Sequence, residues 1–214
     1  MTATLRLPSF ALALIALSAV AHATPVTPPA DDAPLEEARR YFTEDPDAPT
    51  IAPKGYDVTI VEYMDYQCPA CRTSHEPLKQ LVAKDKKVRV IFRDWPIFGP
   101  ASEYAARIAL ASKYQGKYHA VQDALYAAPR PLSEEKIDAA VKAAGVDWGR
   151  LQADRKAHAQ DIEELLARND HQATDIGLDG TPGFLIGNEQ SFGGLTLAQF
   201  EESVAEARKK AAKK

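Results

Sequence analysis

The chain has 214 residues, 45% of them hydrophobic and 26% charged, with 26 lysines and arginines against 30 acidic side chains and a formal charge of −4. That length buries a sizeable core without disulfide staples, and the composition excludes a disulfide-rich miniprotein and a disordered acidic chain. The small acidic excess is the wrong sign for a phosphate-backbone partner, so no nucleic-acid binding is expected.

At the start of the chain, Arg6 precedes an apolar run from Phe10 to Val20 and then Ala21-His22-Ala23. The run is too short to cross a bilayer and ends in small residues, so 1–23 reads as a secretory signal peptide cut before Thr24. The expected location is therefore periplasmic or secreted, in an oxidising compartment. Seven of the 15 prolines fall between Thr24 and Pro53, a density that opposes helix and central strand alike, and 24–53 reads as a Pro-rich tail or linker. Within it, Leu35 to Phe42 has acids early and bases late, the pattern of a short helix at 35–42 that docks on the domain or on another subunit.

Val58 to Met64 is a run of β-branched and apolar residues broken by Glu62, and Val88 to Phe92 is a second run containing Arg89; both read as strands of a buried sheet. Between them, Pro69 to about Lys84 reads as a helix with Leu78, Leu81 and Val82 toward the sheet and Pro77 bending its middle. A strand, crossover helix and strand imply parallel pairing. From Ala101 to Ile176 the period turns helical: Tyr104, Ile108 and Ala111 share a face, then Tyr118, Val121 and Leu125, then Ile137 and Val141, then Ile162, Leu165 and Ala173. Ser133 before two glutamates marks a helix start, and Gly145 and Gly177 mark stops. Gly183–Ile186 and Gln190–Gly193 flank Gly187-Asn188 and predict a hairpin, and Thr196 with Gln199 makes a capping box for a last helix bearing Phe200 and Val204. Lys209 to Lys214 reads as a frayed helix end. The expected fold class is α/β, a domain over 54–214 with an all-helical insertion at about 101–176 between the two halves of the sheet.

The two cysteines lie in Gln67-Cys68-Pro69-Ala70-Cys71, where the first strand ends and the first helix begins. A sulfur at a helix N-terminus faces unpaired N–H groups and the positive end of the dipole, so Cys68 is expected to ionise below the free value of about 8.5 and to be the reactive thiol. Cys71, one turn on, is placed to attack a mixed disulfide at Cys68 and release its partner. Pro69 at the first helical position costs no hydrogen bond, and Ala70 completes the dipeptide between the sulfurs. Two other readings stand beside redox exchange. A stability staple closing so short a loop contributes only about 2 kcal/mol, and a metal site has two thiolates with His75 as a third donor, an arrangement that suits copper(I) binding or delivery better than zinc. Glu62 is either a solvent-facing residue or a buried acid relaying protons beside the sulfurs. Thr181-Pro182 precedes the hairpin; alone it is expected trans, since cis is about 5–6% of such bonds, whereas a cis bond exposes the Thr181 backbone for strand-like pairing with a substrate peptide.

Three segments together resemble one family. Val58 to Cys71, then Arg93-Asp94-Trp95-Pro96-Ile97-Phe98-Gly99 followed by Ala105-Ala106, then Gly180-Thr181-Pro182-Gly183-Phe184 are similar to the active-site segment, the passage into the helical insertion and the cis-proline loop of the DsbA-like branch of the thioredoxin fold, the periplasmic thiol–disulfide oxidoreductases. The resemblance runs from about Tyr56 to the last helix. It implies a thioredoxin-like fold, Cys68 as the attacking and Cys71 as the resolving cysteine, a redox-active Cys68–Cys71 disulfide with no organic cofactor and no metal, Pro182 as the cis-proline and Glu62 as the buried acid. It also implies cysteine-containing exported proteins as substrates and a redox partner, for which a membrane protein is one candidate. Two departures bear on direction. Ala70 stands where strongly oxidising members carry histidine, which implies a milder oxidant. Thr181 is similar to the residue in isomerase and reductase-like members, yet only about thirty residues lie between the signal peptide and the first strand, short for the assembly segment of oligomeric isomerases. Oxidase, isomerase and reductase, and the oligomeric state, stay open at this level.

Overall fold

A computed structural model describes residues 33–213; the segment read as a signal peptide lies outside the described residues. The elements run α1 (Ala33–Thr43), β1 (Thr50–Ile51), β2 (Val58–Met64), α2 (Pro69–Lys84), β3 (Val88–Asp94), α3 (Pro100–Ser112), α4 (Tyr118–Ala127), α5 (Glu134–Ala143), α6 (Trp148–Ala157), α7 (Ala159–Asp175), β4 (Gly183–Ile186), β5 (Glu189–Phe192) and α8 (Leu197–Ala211). The five strands lie in the order β1-β3-β2-β4-β5, a mixed sheet of the thioredoxin type with five helices inserted between β3 and β4. β2 and β3 pair in parallel, Glu62 opposite Phe92 and Met64 opposite Asp94, while β4 runs antiparallel to β2 with Glu62 opposite Phe184. β3 is two residues longer than the apolar run predicts, because Arg93 and Asp94 are carried into the sheet by partners supplied from elsewhere.

Alternation along the strands sorts the core into two. Ile60 and Met64 of β2 join Val90 and Phe92 of β3 on one face, against Leu78 and Leu81 of α2, Phe200 and Val204 of α8 and the insertion helices. Val61 and Tyr63 point the other way with Ile91, against Ala173 and Leu178. Glu62 falls on the first face and is 1% exposed, a carboxyl group inside the larger apolar core. Pro77 lies inside α2, which runs through it. The hairpin turns at Gly187-Asn188, where Gly187 has a φ of 62° that favours glycine, and the Thr196–Gln199 capping box forms at the start of α8. α8 stays helical to Ala211, past the point where the lysines were expected to fray it.

The Pro-rich segment read as a tail or linker is, from α1 onward, packed structure. α1 lies against its own domain: the Tyr41 hydroxyl donates to Asp175 at 3.0 Å and the Gln172 amide donates to the Tyr41 carbonyl at 2.7 Å. β1 then adds an antiparallel edge to β3, with Thr50 opposite Ile91. Proline opposes helix interiors and central strands, and both elements escape it: α1 carries its one proline at its start, and β1 is a two-residue edge. The anchor is a charge pair: the fully buried Arg93 donates to Asp45 at 2.6 Å, to the Asn169 side chain at 3.3 Å and to the Phe42 carbonyl at 3.0 Å, while Arg168 reaches Asp45 at 3.3 Å. Burial opposes ionisation of Asp45, but hydrogen bonds and charge from Arg93, with help from Arg168, outweigh it and hold this carboxyl below the usual range.

Removing the anion leaves an uncompensated buried guanidinium, so Asp45→Ala should lower the unfolding free energy by about 3 kcal/mol in urea denaturation and speed amide exchange in α1 and β1. Because the folded pKa lies below the unfolded one, the ionic contribution is complete above about pH 4 and is lost as pH falls through the folded value. Wild type and Asp45→Asn should therefore converge in stability in acid.

Candidate active site

β2 delivers the chain to the end of the sheet, and the turn after it is built around Asp65. One Asp65 oxygen accepts from the Gln67 N–H at 2.6 Å and the Ser102 hydroxyl at 2.7 Å; the other accepts from the N–H groups of Ile97 at 2.8 Å and Phe98 at 3.1 Å. A single buried carboxylate thus ties the β2–α2 turn to the loop leading into α3. Gln67 extends the tie, donating to the Phe98 carbonyl at 3.3 Å and accepting from the Leu132 N–H at 3.2 Å. Ile97 and Phe98 remain 39% and 48% exposed, an apolar rim beside the cysteine turn.

Cys68 is the N-cap of α2, with extended backbone at φ −66° and ψ 122°, and its sulfur accepts from the Cys71 N–H at 3.4 Å. The sulfur does the work usually done by a serine or aspartate oxygen at that position. Pro69 is the first helical residue and is exposed, and Ala70 is half-buried. Gly194 makes this turn possible from outside: a Cβ there would lie 3.2 Å from the Ala70 carbonyl and 3.3 Å from Ser74 Oγ, the atom to which the Leu195 N–H donates. Both cysteines are thiols; Cys68 keeps 3% exposure and Cys71 none, so only Cys68 presents an edge to solvent.

The antiparallel register of β4 against β2 brings Thr181 and Pro182 to the same end of the sheet. The Thr181–Pro182 peptide is cis, Pro182 is buried, and the Thr181 carbonyl lies 3.1 Å from the Cys68 sulfur, where it accepts from the thiol. A second cis bond, Arg130–Pro131, lies in the loop before α5 and was not foreseen.

The sulfurs differ sharply in acidity. Cys68 is lowered to about 6, chiefly by a hydrogen bond from the Cys71 thiol; burial opposes this, and the Thr181 side chain and the N–H groups of Cys71 and Ala70 favour the anion further. The Thr181 carbonyl pulls the other way by favouring the protonated thiol, but the donors outnumber it. The Thr181 hydroxyl, buried with no partner of its own, is free to donate to a thiolate. Burial first, then the Cys68 thiolate by hydrogen bond and charge, push the Cys71 thiol strongly up. One sulfur is poised to attack and the other to hold its proton.

Glu62, Cys68, Cys71, Thr181 and Pro182 are thus gathered at one end of the sheet. Burial, with Asp94 and Cys68 adding negative charge, raises Glu62 to about 8. His75 is not available in the same way: its Nε2 sits 2.6 Å from the Asp123 carboxylate and its ring packs on Tyr126. Among the described residues no three histidine, cysteine or acidic side chains come together as a metal site, so His75 does not join the two sulfurs as a third donor. Sequence reasoning passed over Asp65, Gln67 and Asp94. For Asp65 the signal was present, a side chain two residues ahead of the N–H it accepts from; the partners of Asp94 come from a helix far along the chain.

A family model described as a DSBA-like thioredoxin domain matches residues 59–205. Among solved structures, a thioredoxin-like oxidoreductase from Silicibacter pomeroyi DSS-3 is 35% identical, with a TM-score of 0.76 over 80% of this chain and 98% of that one. The thiol-disulfide exchange protein alpha-DsbA2 from Wolbachia pipientis is 29% identical, with a TM-score of 0.75 over 82% of this chain and 94% of the other. A curated relative, the Na(+)/H(+) antiporter NhaA 3 of Salinispora tropica, is 27% identical over 173 residues, 76% of this chain but only 25% of the antiporter. The chain spans about a quarter of the length of the curated relatives it matches first.

In reduced protein the thiolate absorbance of Cys68 should titrate with a midpoint near 6. Cys71→Ala removes the largest stabilising hydrogen bond and should raise that midpoint by about one pH unit; an unmoved midpoint would assign the effect to the helix terminus alone.

Proposed function

Because the chain belongs to the DSBA-like thioredoxin domain family, we propose that it is an exported, periplasmic thiol–disulfide oxidoreductase that makes disulfides in cysteine-containing exported proteins. The observation that carries this reading is the Cys68 sulfur capping α2 next to the Thr181 carbonyl, with the Cys71 thiol buried beneath it. In the oxidising direction a substrate thiolate attacks the Cys68 sulfur of the Cys68–Cys71 disulfide. The new substrate–Cys68 bond forms as the Cys68–Cys71 bond breaks, and Cys71 leaves with the electron pair and takes up a proton. A second substrate thiolate then attacks the substrate sulfur of the mixed disulfide, and Cys68 departs as a thiolate. The substrate loses two electrons and the cysteine pair gains them; a redox partner carrying a disulfide, for which a membrane protein is one candidate, reoxidises the pair.

Several features support this direction. The Cys68 value of about 6 lies between the roughly 7 of thioredoxin and the roughly 3.5 of DsbA, in keeping with a moderate oxidant that has Ala70 in place of a histidine. Thr181, half-buried ahead of the cis bond, suits backbone pairing with an extended peptide, and the exposed Ile97 and Phe98 offer that peptide an apolar rim.

Cys71→Ser should accumulate mixed disulfides with reduced exported proteins, detected as dithiothreitol-sensitive adducts, whereas Cys68→Ser should form none. If neither variant forms adducts, the proposal fails; if the wild type shuffles scrambled substrate faster than it oxidises reduced substrate, its direction is isomerisation.

A further inference from the structure

The core beneath the cysteines holds a second carboxylate. Asp94 ends β3 opposite Met64 in the parallel register, two residues beyond the partner of Glu62, so Glu62 and Asp94 are diagonal neighbours on one sheet face. Both are 1% exposed, and each keeps one buried oxygen without a hydrogen-bond partner, Glu62 Oε2 and Asp94 Oδ1. The other Asp94 oxygen accepts from the Tyr118 hydroxyl at 2.8 Å, and the Tyr66 hydroxyl donates to Tyr118 at 3.5 Å. Glu62 has no such donor chain.

The surroundings decide how such a pair ionises. Charge coupling to Glu62 comes from Asp94 on β3 and from Cys68 and Cys71 at the start of α2; Glu62 and Asp94 in turn act on Tyr66 before α2 and on Tyr126 of α4, and β4 brings Phe184. Asp94 meets Tyr118 from α4, Tyr66 and Asp65, and His119 packs edge-on against Tyr118. Arg130, from the loop after α4, couples to Cys68, Asp65 and Tyr126. Arg93 points to the opposite face, toward Asp45. Two neighbouring buried carboxylates without a cation between them do not both ionise at neutral pH.

Building on the redox function proposed above, we propose that Asp94 is a positioning residue for thiol–disulfide exchange: it forms with Glu62 one buried pair sharing a single proton, Tyr118 fixes the negative charge on Asp94, and the proton therefore rests on Glu62, ready for Cys71. When the disulfide opens, the electron pair of the broken bond leaves on Cys71 sulfur. The Glu62 carboxyl passes its proton to that sulfur, giving a Cys71 thiol, and the Glu62 carboxylate, which does not persist beside the Asp94 anion, takes up a replacement proton from solvent. In the reverse direction Glu62 first releases its proton to solvent and then receives that of the Cys71 thiol as the Cys71 sulfur closes on Cys68. The acidities agree in direction: burial raises Asp94 to about 7 although Tyr118 and Tyr66 pull it down, and Glu62 stands higher, at about 8. Asp94 acts only through Glu62, holding it protonated.

The test follows the Glu62 proton in full-length protein. The Glu62 carboxyl band in infrared spectra of the reduced protein should titrate near pH 8 in the wild type and be absent in Glu62→Gln. In Asp94→Asn, where Tyr118 keeps an acceptor, the Glu62 midpoint should fall by about one pH unit or more, and the alkaline limb of the rate of disulfide reduction by dithiothreitol should fall by the same amount. Tyr118→Phe should move both in the same direction, because an Asp94 stripped of its donor takes the shared proton; it decides the matter if Asp94→Asn does not fold. A merely structural loss slows the reaction at every pH and leaves the midpoint in place. Unmoved or raised midpoints overturn the inference. Mixed disulfides in Cys71→Ser together with unmoved midpoints sink the paired proton alone, whereas absent exchange in the wild type sinks the redox function itself.

Discussion

The start of a helix leaves backbone N–H groups facing whatever lies ahead of it, and the group that caps α2 is the sulfur of Cys68. The Cys71 N–H, the Cys71 thiol and the Thr181 hydroxyl converge on that atom from two segments far apart in the chain. Their combined effect makes the anion cheaper than the neutral thiol at physiological pH even though the residue is almost wholly buried. Serine in that position would cap the helix as well but would offer no thiolate. The chemistry rests on having a polarisable, ionisable atom where helices ordinarily carry a spectator oxygen.

That placement constrains the rest of the molecule. β2 must end at the helix terminus, so its alternate residues line the underside of the sulfurs, and Glu62 is committed to the core by the same register that buries Ile60 and Met64. β4 must run antiparallel beside it to bring Thr181 into reach. Asp65 then locks two loops at the sheet end through four hydrogen bonds to one carboxylate, and this keeps the turn from relaxing when the sulfur changes charge. Burying polar groups this densely is costly unless they are paired, and the architecture divides the problem by face. Arg93 is paired on one side by Asp45 and α1, while one oxygen of Asp94, its neighbour in sequence, is held on the other by Tyr118.

The insertion helices therefore do more than cover the sheet. α4 supplies Tyr118 and Tyr126 to the underside of the site, and the loop after it brings Leu132 against Gln67. The N-terminal segment plays the matching part on the far face, where an ion pair holds an otherwise short strap of helix and edge strand to the domain.

The amino-acid sequence alone specified whatever depends on local pattern. The cysteine spacing with Pro69 between strand and helix placed Cys68 at the helix start and Cys71 one turn on, because an N-cap is a local object; strand alternation, the hairpin at Gly187 and the capping box at Thr196 were legible for the same reason. It left Glu62 undecided between surface and core, since one charged residue in an apolar strand fits either, and Thr181–Pro182 was predicted cis by family likeness and not by local chemistry. The tertiary structure decided what depends on pairing distant segments. Asp94 faces Glu62 through the β2–β3 register and is held by Tyr118, twenty-four residues on; the Pro-rich stretch from α1 onward became structure only because Arg93 and Gln172 await it; and His75 was paired by Asp123, forty-eight residues on. In each case the energy lies in an electrostatic contact between residues far apart in the chain, which periodicity does not encode.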